Sequence, residues 1–240
     1  MPNAPVVSVI QHVAAEPPGH LADALHAKGI RLQHVRVFAG DPVPETLEGR
    51  AGLVVMGGPM GVGDAAACPH LRAEMALIED ALRRDLPVLG ICLGSQLLAH
   101  VLGATVHPGA QMEVGWHPVT LTEAAAVDPL WHGVAPQFPA FHWHGDVFDR
   151  PADAVVLARS AQTPVQAFRY GAQAYGLLFH LEMDVPTIVR MTRTFPEDVA
   201  AAGEQPAALR DATPDHASRL AEVAHTVFGR WARMVAAPDP

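Results

Sequence analysis

Two short segments carry residue types able to do covalent chemistry. In Gly90-Ile91-Cys92-Leu93-Gly94 a cysteine stands between two glycines in G-x-nucleophile-x-G spacing. That is the pattern of a sharp strand-to-helix turn, which holds its central residue in a strained conformation above a sheet. At the start of the following helix, unsatisfied N–H groups and the helix dipole favour a thiolate, the form that attacks carbon. The N–H of Leu93 is then placed to donate to an oxyanion. Read alone, the segment fits equally well a buried cysteine used as a small hydrophobe.

The second segment is Phe179-His180-Leu181-Glu182. On an extended chain His180 and Glu182, two positions apart, leave on the same side. Glu182 can therefore hold the imidazole in one tautomer while the other ring nitrogen takes a thiol proton, the logic of nucleophile, base and orienter. Any single one of the 14 histidines is more often a surface or packing residue. A His-x-Glu pair at the end of a strand, in a chain that also carries the cysteine turn, points to catalysis. The chain order Cys, His, Glu argues against an α/β-hydrolase, in which the acid precedes the histidine.

These residues need a scaffold, and the periodicity supplies one. Short β-branched runs alternate with helical patterns: a strand at Val6 to Ile10, a helix from about His20 to Lys28, a strand at His34 to Phe38. The run Leu53 to Met56 ends in Gly57-Gly58-Pro59 and precedes an amphipathic helix with Leu71, Met75, Ile78 and Leu82 on one stripe. Pro87 to Ile91 is apolar on both sides and is followed by a helix from Gly94 to Gly103. Such a strand belongs in the middle of a parallel sheet covered on both faces. Strands are expected next at Trp116 to Leu121, Ala140 to Trp143, Val155 to Ala158, Val165 to Arg169 and Ala174 to Phe179. Helices follow from Val185 to about Ala201, with Asp184 as N-cap, and from Thr213 to about Val235. Ala200 to Pro214, rich in Ala, Gly and Pro, reads as a mobile connector. One domain is expected over residues 1–240, with a helical extension from about 185 to 240.

Composition narrows the function classes. With 16 basic and 25 acidic residues the formal charge is -9, which repels phosphate backbones and disfavours nucleic acid. No apolar run approaches the ~20 residues of a membrane span, and Met1 to Gln11 lacks the basic and apolar regions of an export signal. A cytoplasmic protein is expected. Cys68 and Cys92 show no zinc spacing and no structural disulfide is anticipated. His142, His144 and Asp146 resemble a metal motif but lack further ligands at matching spacing, so neither metal nor cofactor is expected. Asp146 reads as a turn residue, His144 as a site wall and Trp131 as core. Gly57 to Gly63 lacks the spacing and the Gly-Lys-Ser/Thr of a phosphate loop and reads as a turn lined with backbone donors.

The motifs Met56-Gly57-Gly58-Pro59, Gly90 to Gln96, Glu113-Val114-Gly115-Trp116, Trp143-His144-Gly145-Asp146 and Gly176 to Glu182 stand in one order. Together they resemble the class I, or triad, glutamine amidotransferases, above all proteins similar to the amidotransferase domain of GMP synthase, over about Leu53 to Glu182. The resemblance implies a three-layer, flavodoxin-like α/β fold with a mostly parallel central sheet and helices on both faces. It implies Cys92, His180 and Glu182 as triad and the N–H groups of Gly58 and Leu93 as oxyanion hole. Gln96 and the backbone of Trp143, His144 and Gly145 would grip the substrate, with Met60 on the pocket wall. Leu178 and Leu181 stand where these domains commonly carry glutamine and proline.

The implied reaction is hydrolysis of glutamine or another γ-glutamyl amide through a cysteine thioester, with ammonia passed to a separate synthetase. Two alternatives use the same sequence: a γ-glutamyl peptidase with a wider pocket near Met60 and Trp143, and a binding module that keeps the fold without turnover.

Overall fold

The chain begins as alternating β and α units, and those units set the frame for everything else. A computed structural model describes residues 4–236. Strands β1 (Val6–Gln11), β2 (Arg31–Arg36), β3 (Gly52–Val55) and β4 (Val88–Ile91) alternate with helices α1 (Gly19–His26), α2 (His70–Arg83) and α3 (Leu93–Val101). Then come β5 (Val106–Leu121), β6 (Gln137–Phe148), β7 (Val155–Arg159), β8 (Ala167–Tyr170) and β9 (Ala174–Leu177). Helices α4 (Val185–Thr194), α5 (Pro196–Ala201) and α6 (Pro206–Ala236) complete the described chain.

The nine strands of the described residues join one sheet in the order β2-β1-β3-β4-β9-β8-β7-β5-β6. The first five in that order are parallel, the flavodoxin-like arrangement. From β9 onward every pairing is antiparallel, so the parallel half carries an antiparallel wing. Period-2 alternation decides which side chain meets which layer. Val7, Val9, Val54, Leu89 and Ile91 pack with α1, α4 and α6. Ile10, Leu53, Val55 and Val88 pack with α2 and α3 on the other face.

Several boundaries differ from the sequence reading, each for a local reason. The strand expected at His34 to Phe38 lies earlier, at Arg31–Arg36; it is an edge strand with a largely exposed pattern, and Phe38 is left 45% exposed after it. The helix expected to run unbroken from Val185 to Ala201 is interrupted at Phe195, because Pro196 disfavours helical geometry in the residue before it. The connector expected from Ala200 to Pro214 is mostly helix. Pro206 starts α6, where a proline is tolerated, and Pro214 lies inside it, leaving residues 202–205 between the helices. The expected C-terminal extension supplies core: Leu220, Val223, Val227 and Trp231 are buried in the same cluster as α1. Its last residues, 237–240, and the opening residues 1–3 of the segment searched for an export signal lie outside the described chain. Asp184 caps α4 as expected, accepting from Thr187 N–H at 2.8 Å. Trp131 is fully buried, and Cys68 and Cys92 are both free thiols. Among the described residues no helix is long and apolar enough to cross a membrane.

Candidate active site

The carboxyl ends of the parallel strands form one edge of the sheet, and four of the loops leaving it meet at Cys92. Strand β4 ends at Ile91 and the chain turns at once into α3. Gly90 and Gly94 permit the turn: a Cβ on Gly90 would run into the Gly94 carbonyl, and one on Gly94 into the Val55 carbonyl. Cys92 sits between them at φ 49°, ψ -110°, a region costly for a residue with a side chain and found where function over-determines the backbone. It is the N-cap of α3 and only 6% exposed.

Because β9 pairs in parallel with β4, the chain leaving β9 arrives beside this turn, and Cys92 N–H donates to Leu177 O at 2.8 Å. The strand expected to continue to Phe179 stops at Leu177. His180 is instead pinned to β6, its N–H donating to Phe141 O at 2.8 Å. The side-by-side geometry of His180 and Glu182 survives this change: His180 Nδ1 donates to Glu182 Oε1 at 2.6 Å, with both side chains buried. The other ring nitrogen, Nε2, is buried without a formed hydrogen bond. Cys92 Sγ leans on the Trp143 carbonyl at 3.5 Å. Burial opposes charge on His180, but the Glu182 carboxylate and the Cys92 sulfur outweigh it and hold the imidazole well above the ordinary histidine pKa.

On the other side of the sulfur, β3 leads into Gly57-Gly58. The loop is held by a residue the sequence reading missed. His12, just past β1, has Nδ1 2.9 Å from Gly57 O and Nε2 2.8 Å from Glu74 Oε2. Both neighbours are acceptors, so both ring nitrogens carry protons. Burial disfavours that cation, yet the bond to Glu74 and its charge prevail and His12 is raised above its ordinary value. Fixing the Gly57 carbonyl also fixes the far side of the same planar peptide, the N–H of Gly58. Gly58 must be glycine here, since its Cβ would stand 2.7 Å from His12 Cβ.

Next to Cys92 opens a cleft of about 330 Å³. Every residue assigned from sequence to substrate contact lines it: Met60, Gln96, Trp143, His144 and Gly145. Gln96 Nε2 donates to Asp146 O at 3.2 Å. The His144 side chain turns inward to Glu113 at 3.3 Å, and burial lowers its pKa to about 3, so it is a neutral wall. Two further residues missed from sequence come from the interrupted helix: Phe195 lines the cleft, and Asp198 accepts from Trp143 Nε1 at 2.9 Å. A signal for His12 did exist, since ligands in open α/β sheets bind beyond the carboxyl ends of strands and His12 directly follows the first strand.

The metal motif considered in the sequence resolves differently. Glu113, not Asp146, joins His142 and His144, with one potential ligand atom from each within 4.8 Å of the others. Glu113 already accepts from Ser160, Thr163 and Gln166 at 2.6 to 2.9 Å, so its lone pairs are engaged in tying the antiparallel wing together.

Comparison with known proteins identifies the family and the fold. Residues 20–190 match the family Glutamine amidotransferase class-I. A glutamine amidotransferase-like protein of Salmonella typhimurium, YfeJ, is 34% identical over 199 residues, covering 82% of this chain and 83% of that one. GMP synthase of Thermomicrobium roseum is 38% identical over 133 residues, 55% of this chain but only 23% of the synthase. Among solved structures, a glutamine amidotransferase from Thermotoga maritima superposes with a TM-score of 0.87 at 30% identity, covering 98% of this chain and 100% of that one. One from Methylobacillus flagellatus gives 0.88 at 30% identity over 97% and 96%. With the motifs in order, the sheet arranged alike and the match spanning most of its length, the chain belongs to the class I glutamine amidotransferase family.

Proposed function

We propose that the protein hydrolyses the side-chain amide of glutamine, with Cys92 as nucleophile, His180 as base and acid, and Glu182 as the group that orients the imidazole. One observation carries this reading: a buried imidazole, tied to a carboxylate through Nδ1, keeps its other nitrogen unspent beside a cysteine on a strained turn at the wall of a cleft. In the reaction the Cys92 sulfur bonds to the amide carbon and the carbonyl electrons move onto oxygen. The N–H groups of Gly58 and Leu93 stabilise that oxyanion; each such donor is worth roughly 10²- to 10³-fold in rate. The protonated His180 gives its proton to the amide nitrogen, the C–N bond breaks and ammonia leaves. His180 then takes a proton from water, whose oxygen attacks the thioester; the C–S bond breaks, glutamate leaves and Cys92 is restored as thiolate beside the protonated His180.

Gln96, Met60 and the backbone of Trp143 to Gly145 bind the amino acid end of the substrate, since they line the same cleft. Within these residues no ATP-binding motif occurs, so the site of any acceptor for the ammonia lies outside them. The test is release of ammonia from glutamine by purified protein, set beside amine release from γ-glutamyl peptides, with C92A as control. Stoichiometric labelling of Cys92 by a glutamine-analogue alkylating agent supports the reading. Fast peptide cleavage with glutamine inert would replace it with the peptidase, and inertness to every compound together with no labelling would leave a binding module.

A further inference from the structure

Beside the cleft lies a recess of about 30 Å³, room for one or two water-sized molecules. Glu16, Cys92, Trp143, His180, Phe195 and Asp198 are among its walls. Glu16 belongs to the loop between β1 and α1, outside every motif read from the sequence. It is only 5% exposed, and among the described residues its carboxylate accepts no hydrogen bond and forms no ion pair. It is aimed at the reacting atoms: a Cβ placed on Gly57 would touch Glu16 Oε2 and stand 3.2 Å from His180 Cε1 and 3.4 Å from Cys92 Cβ. An unpaired buried carboxylate is costly to keep, and such groups in clefts mark function.

We infer that this recess is a subsite for a small ammonium group, that Glu16 is its receiving carboxylate, and that its occupant is the nitrogen leaving the γ-amide. The identity of the occupant rests on the glutaminase reading; the cation site does not. Chemically, His180 delivers one proton as the C–N bond breaks, giving neutral ammonia. A second proton comes from water, which leaves as hydroxide, and the ammonium is held by the Glu16 carboxylate, with charge and protons balanced. Burial pushes the Glu16 carboxyl up, while the charges of His180 and His12 oppose the shift. The groups facing Glu16 are His180, Glu182, His12 and Asp198. Asp198 is the less buried and lines recess and cleft alike, a second anionic contact on the way out. Capture as ammonium draws the amine away from the thioester and hinders the reverse aminolysis.

Two measurements test this. Glutamine hydrolysis is followed at constant ionic strength with added ammonium, methylammonium or tetramethylammonium chloride. Ammonium is expected to inhibit the wild type and tetramethylammonium, too large for the recess, to have no effect. Inhibition by methylammonium as strong as by ammonium would extend the occupant to N-substituted γ-amides, and its absence would confine it to ammonia. E16Q is expected to raise the inhibition constant for ammonium about tenfold, the loss of one hydrogen bond to a charged group. Separately, wild-type crystals soaked in rubidium chloride should show anomalous density between Glu16 and His180, a readout that needs neither turnover nor a variant. Equal ammonium inhibition of wild type and E16Q, or no rubidium in the recess, overturns the inference. Failure of wild-type protein to release ammonia from glutamine would instead remove the glutaminase reading, with rubidium still deciding the cation site.

Discussion

Two buried histidine–carboxylate pairs flank the Cys92 sulfur, and they are built to opposite specifications. His12–Glu74 is saturated: the histidine spends one nitrogen on Gly57 O and the other on Glu74, while the second Glu74 oxygen accepts from His70 at 2.8 Å. His180–Glu182 is left open, for His180 Nε2 and Glu182 Oε2 are both buried without a partner. Leaving buried polar atoms unpaired costs about 1–3 kcal/mol each, a cost the first pair avoids entirely. Residue types therefore do not separate the two pairs; the unspent nitrogen of His180 does. The saturated pair holds a loop still, and the open pair keeps capacity for a proton.

The comparison breaks most decisively at the open pair. C92A and H180A are each expected to abolish ammonia release within detection while leaving the fold intact, read by circular dichroism. E182Q should follow, with kcat falling roughly 10⁴-fold, because an amide in place of the carboxylate favours the wrong tautomer. Full activity in E182Q would make the two pairs equivalent and end the distinction. At the saturated pair, H12N should lower kcat about 10- to 100-fold with KM little changed, since the Gly58 N–H, the proposed oxyanion donor, loses its fixed position. A rise in KM with kcat intact would show that His12 serves substrate binding instead.

The sequence revealed these two pairs unequally, for physical reasons. His180 and Glu182 are two residues apart, so their relation survives any extended backbone; it held even though the strand ended at Leu177, before either residue. Cys92 was legible because Gly90 and Gly94 leave a local signature of the turn. The alternation of strands and amphipathic helices gave the parallel half of the sheet for the same reason. His12 and Glu74 lie 62 positions apart and meet only because β1 and β3 are neighbours, an ordering that no local pattern states. Glu16 and Asp198 were likewise hidden, one in a loop and one on α5, a helix whose separation from α4 depends on a single proline. The long arms of β5 and β6 were seen only in part, because their ends carry Pro, Gly and polar residues that read as loop, and a register shift between Pro108 and Glu113 breaks the alternation.

A subtler contrast, between His12 of the saturated pair and Glu16 beside the open one, lies in their dependence on pH. His12 is raised in the folded protein, so folding takes up a proton there; its contribution is complete below the ordinary value of 6.5 and is lost as pH rises through the higher folded value. Glu16 is also raised, above 4.5, because burial outweighs the favourable charges of His180 and His12, so ionising it subtracts from stability as pH climbs past that value. H12N should therefore lower Tm more at pH 6 than at pH 9, whereas E16Q should raise Tm at pH 8 and lose that advantage near pH 4. The expected shifts are a few degrees, the scale of about 1 kcal/mol in a protein of this size. Opposite signs for the two variants would show that the protein keeps one buried ionisable group for architecture and tolerates the other for chemistry. Parallel pH profiles would erase this contrast between His12 and Glu16.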